Sequence, residues 1–434
     1  MRWRFLACLR WWWVCWIGIG QALGAGSVIF IHPDGASLNH WNAARLYWVG
    51  PDAELNWDRL PGLALYRSHL EDCLTASSNA GGTVHAYGRK VVYGAFGNNG
   101  GQPITALSGK PYSIMREAQR AGMAVGIINS GDLIEPGTAT FLASVSSRTA
   151  HEEIIAQLLA AQPDILMGGG EQWFLPKGVI GRHGPGQRSD GRNLIAEAQA
   201  AGYTIVYDRT ELAKLPARTR KVLGLFASGA TFHDQPEEKL RAAGLPHYRP
   251  EAPSVAEMTD ATLRILGARR QRFLLVVEEE GTDNFGNVNN AAGTFEALRR
   301  ADHAIGVAQQ FVRRHPRTLL LVAADSDASG MQVVAAGVRA DQPLPPPRSP
   351  AEPPLHGRDG PGSLPFLAAP DVTGKRLPFA VAWIGSHDTY GAVCVRAAGY
   401  NAHLVRGSFD NTDIYRLMYR TLFDRTVPSP VRMR

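Results

Sequence analysis

At 434 residues, 45% hydrophobic and 19% charged, the chain has apolar surface enough for one large α/β domain or two small ones, and it is no disordered tail. The formal net charge is +6, but Arg2, Arg4 and Arg10 lie in an acid-free start. No stripe of Lys and Arg follows, which argues against a nucleic-acid-binding patch.

The first 25 residues run from basic (Arg2, Arg4) through an apolar stretch, Trp11 to Gly20, to small residues at Ala22, Gly24 and Ala25. That order predicts a secretory signal over 1–25 and export to the periplasm or the extracellular space. The apolar stretch is short for a membrane span, although an uncleaved anchor remains the alternative. No later segment is long and apolar enough to span. Cys8 and Cys15 fall in the leader, and Cys73 and Cys394 remain. The sequence leaves open whether those two pair.

Continuous apolar runs then alternate with helical patterns. Ser27–Ile31, Ala124–Asn129, Asp164–Gly170, Phe273–Glu278, Thr318–Asp325 and Phe379–Gly385 read as buried strands of a mostly parallel sheet. Tyr112–Ala121, His151–Ala161, Leu194–Ala201, Ser254–Gly267 and Thr294–Arg314 read as helices, with Gly122 and Gly202 just past two helix ends. The alternation predicts a three-layer α/β/α sandwich, a single catalytic domain over 26–434. The Pro-rich stretch at about 342–365 is expected to be a surface insertion without regular structure.

Ligands of such sheets collect at the C-terminal strand ends. Asp34, Glu278, Asp325 and His387 each follow or end one of the strands above. Any one of them alone reads as a helix cap or a turn. Three carboxylates and a histidine brought together repel one another unless cations join them, which points to a multi-metal site. The segment Thr75–Lys90 puts Ser77 and Ser78 before small residues at a helix start, a place that favours anions. Read alone, it is a helix N-cap. His32 shares the strand face of Asp34, and the sequence leaves it as an added ligand, a hydrogen-bond donor or a core histidine.

Seven segments occur in one order from Val28 to about Phe423: VIFIHPDG, SSNAGGTVHAYGRK, TATFLASVSSR, PDILMGGG, FLLVVEEEGTDNF, LLLVAADSDASG and SHDTYG. Together they resemble the alkaline phosphatase family. The resemblance implies a phosphomonoesterase fold with Ser78 as nucleophile and Arg148 as phosphate clamp. It also implies two or three divalent metals, zinc and magnesium. Asp34 would be shared between two ions. Asp283 and His387 would serve the first, Asp325 the second and Glu278 the third, with Glu135 at the position of a magnesium-site acid.

The departures are specific. Asn287 and Ser326 stand where the family has histidines, and Gly137 stands where it has a threonine, with Thr138 adjacent. Oxygen donors suit harder ions, so calcium or manganese joins the expected metals. Asp327, two residues beyond Asp325, is expected to help the second site if the strand continues. The expected partners are small phosphorylated substrates, and a homodimer is left open. Rival readings are a phosphodiesterase or sulfatase of the same superfamily, or a relative that binds phosphate or metal without turnover.

Overall fold

The apolar runs become the centre of a ten-stranded sheet in the computed structural model, which describes residues 24–269 and 271–428. The expected leader lies almost wholly outside the described residues. Eight strands come first: β1 (Ser27–Pro33), β2 (Gly62–Arg67), β3 (Ala124–Asp132), β4 (Ile165–Gly169), β5 (Thr204–Val206), β6 (Val222–Leu225), β7 (Phe273–Glu279) and β8 (Thr318–Val322). The short strands β9 (Asp327–Ala328), β10 (Gln332–Val334), β11 (Leu355–Gly357), β12 (Gly360–Pro361), β13 (Phe366–Leu367), β14 (Pro378–Ala382) and β15 (Asp388–Thr389) follow, then β16 (Cys394–Gly399) and β17 (Arg406–Asp410).

The main sheet has the order β17-β2-β16-β8-β1-β7-β3-β4-β6-β5. All its pairings are parallel except those of β16 with β2 and β8. The central strands β8, β1, β7 and β3 are buried along their whole length, as strands covered on both faces must be.

The helices are α1 (Leu38–Trp48), α2 (Ser78–Tyr87), α3 (Ile114–Arg120), α4 (Pro136–Ala139), α5 (His151–Ala160), α6 (Leu194–Ala200), α7 (Arg209–Ala213), α8 (Glu237–Ala243), α9 (Val255–Gly267), α10 (Gly281–Asn287), α11 (Ala291–Arg314) and α12 (Thr412–Phe423). Among them, α9 and α11 pack on the central strands, as do α3, α4 and α12, giving the layered sandwich. Helix α9 starts in a capping box between Ser254 and Glu257, which satisfies backbone N–H groups that the first turn leaves free. Gly122 and Gly202 follow α3 and α6 with φ of +76° and +86°, the left-handed turn that ends many helices.

Three expectations need correction. Phe379–Gly385 does not join the main sheet: β14 lies in a small five-stranded sheet with β10, β11, β12 and β13. Its apolar face is satisfied there by Phe295, Phe366 and Met331. The Pro-rich stretch is not wholly irregular, because β11 and β12 form a short antiparallel pair within it. Asp327 does not extend β8. It opens β9, paired antiparallel with β15, and its carboxylate faces His40 at 3.4 Å. Cys73 and Cys394 are both free thiols. Among the described residues no helix is long and apolar enough to cross a membrane.

Candidate active site

Strand register builds the floor of the site. His32 on β1 pairs with Glu278 on β7, and Glu278 pairs with Asn129 on β3. Side chains in register on neighbouring parallel strands share a face, so the three stand in a row. Asn129 Nδ2 donates to Glu278 Oε2 at 2.5 Å and to Thr138 Oγ1 at 3.0 Å. Two residues beyond His32, Asp34 leaves β1 on the same face, and Thr282 Oγ1 donates to its carbonyl at 2.5 Å. The chain then turns at Gly35, where φ is +63° and a Cβ would stand 2.6 Å from Asp283 Oδ1. Only glycine meets both demands.

Helix α2 brings the serines. Ser77 is its N-cap: the hydroxyl donates to the Tyr93 carbonyl at 2.6 Å and accepts from the Ala80 N–H at 3.4 Å. Ser78, the first helical residue, is 7% exposed, and its hydroxyl is close enough to Asp34 to favour that carboxylate's charge. The approach depends on small residues. A Cβ on Gly81 would fall 2.2 Å from Asp325 Oδ2, and one on Gly82 would fall 2.7 Å from the Pro136 carbonyl.

Burial would hinder ionisation of Asp34, yet hydrogen bonding and charge from His32, with smaller contributions from the neighbouring Asp325 and Ser78 side chains, hold it below the usual carboxylate range. Glu278, Asp283 and Asp325 are pushed well above that range, first by burial and then by neighbouring carboxylates. Burial carries Glu135 up to about 7 against the pull of Arg148. Asp34 Oδ2, Glu278 Oε1, both Asp325 carboxylate oxygens and the Ser326 hydroxyl are buried without a protein partner. Such a concentration of desolvated, unpaired acceptors is unstable alone and fits divalent cations.

Most of the expected residues therefore converge: Ser78, Asp34, Glu278, Asp283, Asn287, Asp325 and Ser326. Asn287 does so with its amide nitrogen, which donates to both Asp283 oxygens at 2.9 Å and to Asp388 Oδ1 at 3.1 Å. Its Oδ1, the atom expected to meet a cation, accepts from Ser329 at 3.0 Å. Glu135 lies at the rim, accepting from Arg148 Nη2 at 3.2 Å, and the Arg148 side chain is half exposed. Gly137 presses its backbone against Glu278, whose Oε1 would stand 1.7 Å from a Cβ there.

His387 does not join the cluster. Its side chain is exposed, and the next residue, Asp388, turns inward to Asn287 and Asp283. Adjacent residues of an extended segment face opposite ways, and here it is Asp388, the first residue of β15, that points to the site, while His387 just before the strand points out. Sequence reasoning also missed Glu280, whose buried carboxylate groups with Asp34 and Asp283. The triple Glu278-Glu279-Glu280 carried the signal. By alternation Glu278 faces the site, while Glu279 turns away to accept from Ser130 and Tyr248 at 2.6 Å each. Tyr93, half exposed at the mouth, is raised by burial and then by Asp388.

The alkaline phosphatase family profile matches residues 25–344. A streptomycin-6-phosphate phosphatase from Streptomyces griseus is 30% identical over 342 residues, covering 69% of this chain and 73% of that protein. An alkaline phosphatase from Escherichia fergusonii is 25% identical over 440 residues, covering 92% and 86%. Among solved structures, the Thermus thermophilus alkaline phosphatase superposes with a TM-score of 0.72 at 23% identity, covering 93% of each chain. Profile, relatives and fold agree: the chain belongs to the alkaline phosphatase family and is a phosphomonoesterase.

Proposed function

We propose that this phosphomonoesterase is metal-dependent and works through a phosphoserine on Ser78. The observation that carries the reading is the placement of Ser78 at a helix start, its hydroxyl beside Asp34 and its helix packed onto Asp325. Asp34, Asp283, Asn287, Asp325, Ser326, Asp388 and Glu278 are the residues that would hold the cations, with Glu280 and Glu135 alongside. Bound divalent ions supply charge stabilisation for the attacking and leaving oxygens.

The chain's own groups do the rest. Ser78 Oγ attacks phosphorus, the bond from phosphorus to the leaving oxygen breaks, and the alcohol departs with a proton. Water then attacks the phosphoserine, releasing inorganic phosphate and restoring the hydroxyl. The N-terminus of α2 favours the anion throughout. Arg148 binds two phosphoryl oxygens with its planar fork, and Glu135 holds that arm in place until substrate arrives. A dianionic monoester suits this clamp better than the singly charged diester of a phosphodiesterase.

Arg148→Ala is expected to lower kcat/KM about 100-fold, the scale of one charged group at a transition state, and to weaken competitive inhibition by inorganic phosphate. Unchanged phosphate inhibition contradicts the clamp. The leader supports export to the periplasm or outside the cell, as a chain beginning close to Ala25. N-terminal sequencing of exported protein checks it, and a membrane-held chain that still starts at Met1 contradicts it.

A further inference from the structure

We propose that His32 is a metal ligand through Nε2, placing one imidazole among the carboxylates of the cluster. The inference rests on the metal-dependent reading above and adds a donor to it. His32 is fully buried at the C-terminal end of β1. Its Nε2 stands 3.2 Å from Asp34 Oδ1, 3.8 Å from Glu278 Oε1 and 3.9 Å from Asp325 Oδ1. Two donors on one cation stand roughly 3–4 Å apart, given metal–donor bonds of about 2.0–2.5 Å. All three separations fall in that range. Glu278 Oε1 and Asp325 Oδ1 have no protein hydrogen bond, so nothing else claims them.

The ring is also free to take the required tautomer. Coordination through Nε2 needs the proton on Nδ1. Nδ1 makes no protein hydrogen bond, so it is free to take the proton; the one bond given up is that of Nε2 to Asp34 Oδ1 at 3.2 Å, which a cation shared by the two atoms replaces. The ring is held in place by packing, edge-on to His85 at 5.6 Å and tilted against Phe30 at 5.8 Å. His85 does not compete for the cation, because its Nε2 is engaged with the Tyr66 hydroxyl at 2.7 Å. The other histidines near the cluster face elsewhere: His40 bonds Ser37, and His387 is exposed. With Asn287, Ser326 and Asp388 offering no imidazole, His32 is the nitrogen best placed for an ion.

The test is metal uptake and pulsed electron paramagnetic resonance of the full mature protein loaded with manganese(II), with no activity readout. Nitrogen hyperfine coupling is expected in the wild type and in His387→Ala, and is expected to vanish in His32→Gln. His32→Gln should also bind at least one manganese ion tenfold or more weakly, about the lower limit for a lost coordination partner. Manganese bound without nitrogen coupling, coupling that survives His32→Gln, or coupling lost in His387→Ala overturns the assignment and leaves metal dependence standing. A protein that takes up no manganese or other divalent ion contradicts the metal-dependent reading itself. Should His32→Gln not fold, the wild type and His387→Ala still decide, since the exposed His387 can be removed without touching the cluster.

Discussion

Ser78→Ala is expected to lower kcat for a phosphate monoester by about 1,000-fold or more, the scale of losing a nucleophile that acts with its activating groups. Ser77→Ala should keep most of the activity. The two hydroxyls are adjacent in sequence but differ in employment. Ser77 Oγ is committed to the Tyr93 carbonyl and to the N–H of Ala80. Removing it costs about 1 kcal/mol of helix capping, which shows as a lower Tm. Ser78 Oγ takes no part in the cap and stands beside Asp34. Steady-state kinetics with a chromogenic monoester, alongside thermal melts, separates the roles. Equal loss in both variants, with melts unchanged, would put the nucleophile in the wrong place.

Removal of metals should abolish turnover, and the ion that restores it should be hard. Zinc favours nitrogen and sulfur in compact tetrahedral sites. Around Asp34 the structure instead gathers mainly oxygen donors, those of Asp283, Asn287, Asp325, Ser326, Asp388, Glu278 and Glu280, with one imidazole, that of His32. The exchange of His387 for Asp388 removes the one imidazole that the sequence had assigned to the first ion. Calcium, magnesium or manganese is therefore expected to restore the chelated protein better than zinc. Combining Asn287→His, Ser326→His and Asp388→His should move the ratio of zinc-supported to magnesium-supported activity upward by about tenfold or more, since metal choice follows donor type. Full recovery of the wild type with zinc alone, and nothing gained from the other ions, contradicts the oxygen-rich assignment.

The sequence carried most of the fold and much of the site, for identifiable reasons. Buried parallel strands announce themselves as unbroken apolar runs, and five of the six runs named in advance are strands of the main sheet. The sixth, Phe379–Gly385, has the same composition but packs in the small sheet, because apolarity reports burial and not which sheet does the burying. The edge strand β17 and its neighbour β2 were invisible as runs. They alternate or carry polar residues, and Leu63 and Leu65 of β2 are exposed.

At the site, Gly81 and Gly82 read in the sequence only as small residues at a helix start and Gly35 carries no reading there; what a Cβ at each would strike depends on groups brought in from distant segments. His387 against Asp388 is a question of strand facing, settled by the pairing of β15 with β9, which no local pattern reveals. His32 is the converse case. Its spacing from Asp34 put it on the right face, but its distance from Glu278 depends on the β1–β7 register, a long-range fact.

The most direct test of the catalytic assignment is to find where the phosphoryl group rests. The protein is mixed with a monoester carrying a radiolabelled phosphoryl group, quenched in acid during turnover and digested, and the labelled peptide is sequenced. The label is expected on Ser78, in the peptide spanning Thr75–Arg89, and absent from Ser78→Ala. Label on Ser77, or an active enzyme that never acquires label at all, contradicts a phosphoserine mechanism at Ser78.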